Sequence, residues 1–252
     1  MLTAFWVSTA FSQESDAKAK EIVEKTFNKY LNLIKKEGND VTSMAAKLLI
    51  KGGGMVPMGD NAMPMNLNVV LEIYVEKPRN FSASLVGNLG NAAVVMEGEK
   101  KKLTVLLPNT KQFAVIDVPD SAFEDIEKEV DNPEEEPNLD ELWKNTVAKY
   151  AGTEDTKLGK AHKLVFTPKD TSEEGTLTIH ILDGKWDPAR VEFSQGEDTN
   201  VVIEIDKLDV NGKIPADKFV PHTEGFTEVT QDQLTTLIMM QVMGAMMGGG
   251  AQ

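Results

Sequence analysis

The spacing of the apolar residues changes once near the start of the chain, and this change restricts the possible folds. From Asp16 to Glu37 apolar side chains recur every three or four residues, which predicts an amphipathic helix that ends at Gly38-Asn39. Beyond residue 42 the period becomes two. The alternation of apolar and polar side chains over residues 67–76 is typical of a half-buried strand. The pattern therefore predicts one helix followed by a series of strands.

Turn signals divide the remaining chain into short segments of the same kind. Further strands are predicted at 44–50, 80–87, 91–97, 101–107, 112–118, 160–167, 175–182, 188–195, 200–210 and 217–220. Helices are predicted between the two halves of this series, over 120–129 and 138–150. The absence of alternating strands and helices argues against a doubly wound parallel sheet. We expect an α+β fold: a single strongly curved, incompletely closed antiparallel sheet of about eleven strands, wrapped over helices.

Composition excludes several functional classes. The chain of 252 residues contains no Cys, so disulfides, thiolate metal sites and Cys nucleophiles are absent. Its formal net charge of −14 argues against nucleic acid as a partner, because binding to phosphates requires a basic surface. Nucleophile-elbow, phosphate-loop and zinc-protease motifs are also missing, and His180 is predicted to be an ordinary surface residue. We therefore expect neither an enzyme nor a protein that holds a metal or cofactor.

The two ends of the chain differ from its middle. Met1 to Ser12 carry no charge, and Ala10-Phe11-Ser12 places small residues at the positions of a signal-peptide cleavage site. We interpret residues 1–12 as a signal peptide with a truncated or misassigned start, which predicts a soluble periplasmic protein. A buried N-terminal strand or helix is the alternative. The predicted organisation then continues with one domain over 13–229 and a C-terminal segment over 230–252.

Methionine is unusually abundant, and its 12 copies are clustered. Residues 52–66 combine Gly52-Gly53-Gly54 and two Pro with four methionines, which predicts a mobile apolar loop that contacts cargo or a membrane. These methionines are Met55, Met58, Met63 and Met65.

The second methionine cluster lies in the C-terminal segment. Thr230-x-x-Gln233 is a capping box that predicts the start of a helix. From Leu237 to Met247 nearly every residue is apolar, so this helix would be apolar on almost every side. We expect it to occupy a groove, either at the mouth of the protein's own cavity or on a partner.

Three interpretations of the methionines remain open at this point. They can belong to the core, or they can form an adaptable surface for acyl chains or partner helices. They can also bind Cu(I) through thioether sulfurs, for which Met55-x-x-Met58 and Met243-x-x-Met246 have suitable spacing.

Three local motifs occur in an order that is similar to a known family. Tyr74 to Phe81 contains Lys77-Pro78-Arg79 followed by a strand, and the segment from Gly98 to Pro108 has the pattern of a strand pair. Residues 203–211 form a strand that ends in Asn, and Ile214 to Pro221 contains a Phe-bearing segment that ends in Pro. Over about residues 16–229 this resembles the periplasmic outer-membrane lipoprotein carriers, the LolA/LolB-like half-barrels.

The resemblance implies a soluble carrier, expected to be a monomer, that binds acyl chains of lipoproteins or other lipids in an apolar cavity and touches a membrane or membrane protein transiently. It implies a lid with Phe123 and Trp143, which Arg79 would latch. The implied cavity lining comprises Leu48, Ile50, Val69, Leu71, Ile73, Leu85, Val105, Leu107, Leu177, Ile179 and Phe193. Alternatives are a periplasmic Cu(I)-binding protein and a module that senses lipid or lipoprotein.

Overall fold

The computed structural model describes residues 14–35, 41–58, 61–77, 79–122, 139–170, 175–196 and 199–248. For residues 31–35, 55–58, 61–64 and 245–248 the description covers the backbone alone. The predicted signal peptide and the predicted lid residue Phe123 lie outside the described residues.

The described residues include three α-helices and twelve strands with the bounds given below, and residues 120–122, at the start of the helix predicted over 120–129, are also helical, while 123–129 lie outside the described residues. The helices are α1 (Ala17–Lys35), α2 (Leu139–Asn145) and α3 (Gln231–Gly248), and a single 3₁₀ turn spans Ala216–Phe219. The first six strands are β1 (Ser43–Met58), β2 (Asn61–Glu76), β3 (Asn80–Gly87), β4 (Gly90–Glu97), β5 (Lys102–Leu107) and β6 (Gln112–Asp117). The others are β7 (Thr146–Thr156), β8 (Gly159–Pro168), β9 (Thr176–Leu182), β10 (Pro188–Gln195), β11 (Thr199–Val210) and β12 (Thr227–Glu228).

All twelve strands form one open sheet, in the order β12-β6-β5-β4-β3-β2-β1-β11-β10-β9-β8-β7. Neighbouring strands are antiparallel, except that the two residues of β12 run parallel to β6. The two ends of the order, β12 and β7, are not paired with each other, so the sheet is incompletely closed. The predicted α+β fold with a single curved sheet is therefore confirmed.

The helices pack on one face of this sheet, which we call the inner face. Residues directly opposite each other in antiparallel strands share a face. The pairing register therefore identifies which residue of each strand lies on the inner face. It carries Leu164, Ile179, Val191, Ile203, Ile50, Val69, Leu85 and Ala92. α1 packs on this face through Ala19 and Ile22 over β7 to β9, and α3 packs through Leu234 over β5 and β6.

The start of α1 is attached to the end strand β7. The amide of Asp16 donates a hydrogen bond to the carbonyl of Ala148 at 2.9 Å. In return, the Ala148 amide donates to the Ser15 hydroxyl and the Tyr150 amide donates to the Asp16 carboxylate, each at 2.9 Å. These contacts fix the N-terminal end of α1 against the sheet.

The predicted loop over 52–66 is wrong. β1 and β2 stay paired through this segment, from Gly52 opposite Leu67 to Met58 opposite Asn61. The glycines are required by close packing of strands, since a Cβ on Gly52 would lie 2.0 Å from the Asn200 carbonyl oxygen. Gly52 also has a φ of +135°, which side chains rarely adopt.

Two further predictions need correction. The helix expected over 138–150 ends at Asn145, and the chain continues as β7, which pairs with β8 along its length. Leu139, Leu142 and Trp143 have the apolar spacing of a helix. From Thr146 onward, pairing with β8 determines the conformation instead. The strand expected at 217–220 is instead the 3₁₀ turn after Pro215, which supplies no backbone N–H for a strand ladder.

The start of α3 agrees with the sequence. The Thr230 amide donates to the Gln233 side-chain oxygen at 3.0 Å, and the Gln233 amide donates to the Thr230 hydroxyl at 3.3 Å. This reciprocal pair is the predicted capping box. Within the described residues, no helix has the length and hydropathy needed to cross a bilayer.

Candidate functional site

An apolar cavity of about 260 Å³ lies between α1, α2 and the inner face of β8 and β9. We call it the inner cavity. Its lining comprises Val23, Thr26, Phe27, Leu139, Leu142, Leu164, Phe166, Leu177, Ile179 and Ile181. A smaller apolar cavity, of about 150 Å³, stays dry and binds benzene. The inner cavity therefore has room for a longer aliphatic group.

Alternate residues of β8 and β9 form the floor of the inner cavity. Leu164 and Phe166 on β8 alternate with residues that face the other way, and so do Leu177, Ile179 and Ile181 on β9. Leu164 is 1% exposed and Phe166 is 5% exposed. The floor is thus a packed apolar surface, and α1 and α2 form the cover.

The residues predicted to line a cavity are distributed more widely than the inner cavity. By strand register all eleven residues lie on the inner face of the sheet. Of these eleven, Leu177 and Ile179 line the inner cavity. Val105 and Leu107 lie instead beneath α3, and Phe193 is 39% exposed. The remaining six lie on the central strands β1, β2 and β3: Leu48, Ile50, Val69, Leu71, Ile73 and Leu85.

Sequence reasoning missed most of the cover. Val23 and Phe27 lie on the apolar stripe of α1, so their helical spacing was the available signal. Leu139 and Leu142 extend from α2, and Trp143 of the same helix packs against the core cluster with Lys20 at 6.0 Å from its ring centroid. The structure therefore places the predicted lid residue Trp143 in the cover.

Arg79 occupies the turn between β2 and β3, against Gly98. The pKa of Asp120 is lowered chiefly by its hydrogen bond from Lys101, with a smaller contribution from Arg79. The latching role implied for Arg79 stays a prediction.

A different residue connects the cover to the sheet. Asp187, just before β10, accepts a hydrogen bond from the Tyr30 hydroxyl of α1 at 2.8 Å and a short one from the Lys29 ammonium. Burial, and then the contact with Asp187, raises the pKa of the Tyr30 hydroxyl. The adjacent Trp186 adopts a φ of +60°, and its ring centroid lies 4.7 Å from the Lys25 ammonium. α1 is thus attached at its start, through Asp16 to β7, and near residue 30, through Asp187 to the turn before β10.

We expect Asp187→Ala to destabilise the protein by about 1–2 kcal/mol, because the partly buried Tyr30 hydroxyl loses its acceptor. Amide exchange in residues 23–30 should become faster, since this end of α1 is no longer fastened. Asp183→Ala in the same turn is the matched control, because Asp183 is 54% exposed and contacts His162 instead. Unchanged exchange in α1 of Asp187→Ala would contradict this role.

The opposite, outer face carries an ionic network around His180. His180 is 0% exposed, which corrects the prediction that it is a surface residue. Its Nε2 lies 3.2 Å from a Glu192 oxygen and its Nδ1 lies 3.8 Å from a Glu154 oxygen, yet neither nitrogen has a hydrogen-bond partner. Burial lowers the pKa of His180, against the opposing influence of the two carboxylates.

Salt bridges extend this network across the outer face. Arg190 contacts Glu204 at 2.8 Å and Glu192 at 3.5 Å. Burial raises the pKa of Glu204, but the hydrogen bond and charge of Arg190 together with those of Lys157 outweigh burial, and the net pKa is lowered. Among the described residues, no group of three His, Cys, Asp or Glu side chains is arranged to hold a metal ion.

Comparison with known proteins gives matches at the level of solved structures. No family model and no curated protein matches the chain. A MucA/MucB complex from Pseudomonas aeruginosa is similar with a TM-score of 0.46 and 11% identity, over 85% of this chain and 64% of that chain. The matched region is thus less than two thirds of the MucB chain.

Two further solved structures align over nearly their full length. An uncharacterized conserved protein from Thermus thermophilus has a TM-score of 0.41 and 15% identity, over 84% of this chain and 98% of that chain. A putative outer membrane lipoprotein-sorting protein domain from Vibrio parahaemolyticus has a TM-score of 0.27 and 10% identity, over 80% of this chain and 96% of that chain.

Proposed function

We propose that this protein is a carrier, and not an enzyme, that binds the acyl chains of lipoproteins or other lipids in the inner cavity. The observation that supports the proposal is the cavity itself: about 260 Å³ of apolar space between two helices and a sheet. Each methylene transferred from water into such a site gains about 0.8 kcal/mol. A short aliphatic segment would therefore bind without any charged group.

The cover is built in a way that suits such a carrier. α1 is held by polar contacts at Asp16 and Asp187 and by the packing of Ala19 and Ile22, while Val23 and Phe27 face the cavity. Opening would break hydrogen bonds that water can replace, and closure would bury the acyl chain again. We propose that the carrier works in the periplasm as a monomer, with transient membrane or membrane-protein contacts.

Filling the inner cavity tests the proposal. Leu177→Trp adds an indole to the floor of the cavity, and we expect it to reduce the affinity for a fluorescent fatty-acid probe at least about tenfold. The affinity is measured by titration and by displacement of the probe with an unlabelled fatty acid. Val86→Trp is the matched control, since Val86 is 53% exposed on the outer face, and it should bind the probe as the unmodified chain does.

Other outcomes would reject the carrier proposal. A chain that takes up no probe, or a Leu177→Trp variant that binds with unchanged affinity, would show that acyl chains do not enter the inner cavity. Native mass spectrometry of the protein purified from cells tests the Cu(I)-binding alternative that the methionine spacing raised. A stoichiometric copper ion that is lost on Met→Leu substitution would indicate a Cu(I)-binding protein instead.

A further inference from the structure

One residue in the lining of the inner cavity has a polar side chain. Nine of the ten lining residues are apolar, and the tenth is Thr26 of α1. Thr26 follows Val23 by three residues, so the two lie on the same side of the helix. No charged side chain belongs to this lining. Thr26 is therefore the lining residue whose side chain can form a hydrogen bond with a ligand.

The hydroxyl of Thr26 has no hydrogen-bond partner in the described part of the chain. Its oxygen is buried, and no described group donates to it or accepts from it. A threonine in a helix can satisfy its hydroxyl by donating to the carbonyl four residues earlier. Three other threonines of this protein form that bond at 2.7–3.0 Å: Thr146, Thr235 and Thr236. Thr26 does not form it with Ile22.

This unpaired hydroxyl can reach the inner cavity at little cost. The apolar part of Thr26 lines the cavity, and the hydroxyl is buried beside it. One rotation between staggered χ1 rotamers brings the hydroxyl to the position of the methyl group. The rotation breaks no hydrogen bond, because the hydroxyl has none to lose. A ligand atom that pairs with it also removes the penalty of a buried polar group without a partner.

The rest of the lining restricts the chemistry of that ligand atom. A carboxylate or phosphate oxygen would have to leave water without a cation to pair with, which costs far more than one hydrogen bond returns. A neutral oxygen, in an ester carbonyl or a hydroxyl, gives up much less hydration. It can accept a hydrogen bond from Thr26 while the aliphatic chain around it contacts the nine apolar residues.

We propose that the Thr26 hydroxyl donates a hydrogen bond to a neutral oxygen on an aliphatic chain in the inner cavity, and that the protein selects acyl ligands that carry such an oxygen. This proposal rests on the proposed carrier function and adds selectivity to it. The apolar lining binds any aliphatic chain, and Thr26 distinguishes chains by the oxygen that they place beside it.

Two pairs of ligands, each differing in one oxygen, test this proposal. Monododecanoylglycerol has the ester carbonyl oxygen that dodecylglycerol lacks, and β-hydroxydodecanoic acid has the hydroxyl that dodecanoic acid lacks. We expect the unmodified chain to prefer the oxygen-bearing member of at least one pair by about five- to tenfold, measured by displacement of the fluorescent fatty-acid probe. The pair that shows the preference identifies the source of the oxygen.

Two variants of Thr26 assign the preference to its hydroxyl. Thr26→Val replaces the hydroxyl with a methyl group and has a similar helix propensity, so it should lose the preference and still bind the member without the oxygen. Thr26→Ser keeps the hydroxyl and should keep the preference. Without ligand, Thr26→Val should raise the melting temperature by about 2–4 °C, because an unpaired buried hydroxyl is removed.

The outcomes separate this proposal from the carrier function. An unchanged preference in Thr26→Val, or no preference in either pair, would overturn the role of Thr26 and leave the carrier function standing. A lower melting temperature of Thr26→Val would overturn it too, since the hydroxyl would then be paired in the free protein. If the unmodified chain binds none of the four compounds, the carrier function is rejected and this proposal with it.

Discussion

Leu164→Ala should lower the free energy of unfolding by about 2–5 kcal/mol, the largest effect expected from a single substitution in this protein. Leu164 is 1% exposed and packs against Ala19 and Ile22 of α1 while also lining the inner cavity. Removing its Cγ and the two methyl groups on it would enlarge that cavity and reduce the contact that holds α1 on the sheet. The melting temperature should fall by roughly 5–15 °C for a chain of this size.

Urea unfolding measures this loss, with Val86→Ala as its control. Val86 is 53% exposed on the outer face, so its truncation should change stability by about 0.5 kcal/mol or less. An acyl ligand should raise the stability of Leu164→Ala in proportion to its occupancy, by about 2.7 kcal/mol at a hundredfold excess over Kd. A loss below about 1 kcal/mol would show that α1 is not packed on Leu164.

Acidification should reduce stability in a window set by His180. An unfolded histidine has a pKa near 6.5, and burial lowers the pKa of His180 in the folded protein. Below about pH 6.5 the unfolded state therefore binds a proton that the folded state does not. The contribution of neutral His180 to the free energy of unfolding is fully present above this pH. It falls as the pH approaches the lowered pKa of the folded state, by at most about 1.4 kcal/mol per pH unit.

Carboxyl groups act in a different range. The pKa values of Glu72 and Glu204 are lowered from 4.5, so their contributions are lost only as the pH falls below that value. Between pH 5 and 7, roughly the histidine range, the difference in unfolding free energy between the unmodified chain and His180→Gln reports on His180. We expect His180→Gln to flatten the profile. An unaltered slope in His180→Gln would contradict the assignment.

The alternation of side chains predicted most of the strands and the face that carries the apolar residues, but it did not predict β7 or the continued pairing of β1 and β2. Leu177 and Ile179 line the inner cavity, and register places the nine other residues expected to line a cavity on the same face. The alternation did not predict where the helices pack on this face. Whether a strand residue lines a cavity or lies under a helix depends on which part of the face α1, α2 and α3 cover, and that depends on contacts between distant parts of the chain.

Gly52-Gly53-Gly54 illustrates how a local signal can be misleading. Glycine and proline usually mark turns, so the segment over 52–66 was predicted as a loop. The apolar alternation on either side was the signal for continued strands, and a glycine within a strand indicates close approach of another backbone. A Cβ on Gly53 would lie 2.7 Å from the Met65 carbonyl oxygen of the paired strand.

The two short attachments at the margins of the sheet have a consequence for self-association. An open sheet ends in strands whose free backbone groups can recruit strands from other molecules and begin fibrous aggregates. Here Ser15 and Asp16 occupy backbone amides of β7, and the two residues of β12 pair with β6 at the opposite margin. Each margin is thus covered in part by a segment too short to offer a long template of its own, which shortens the free strand edge through which copies of the chain could polymerise.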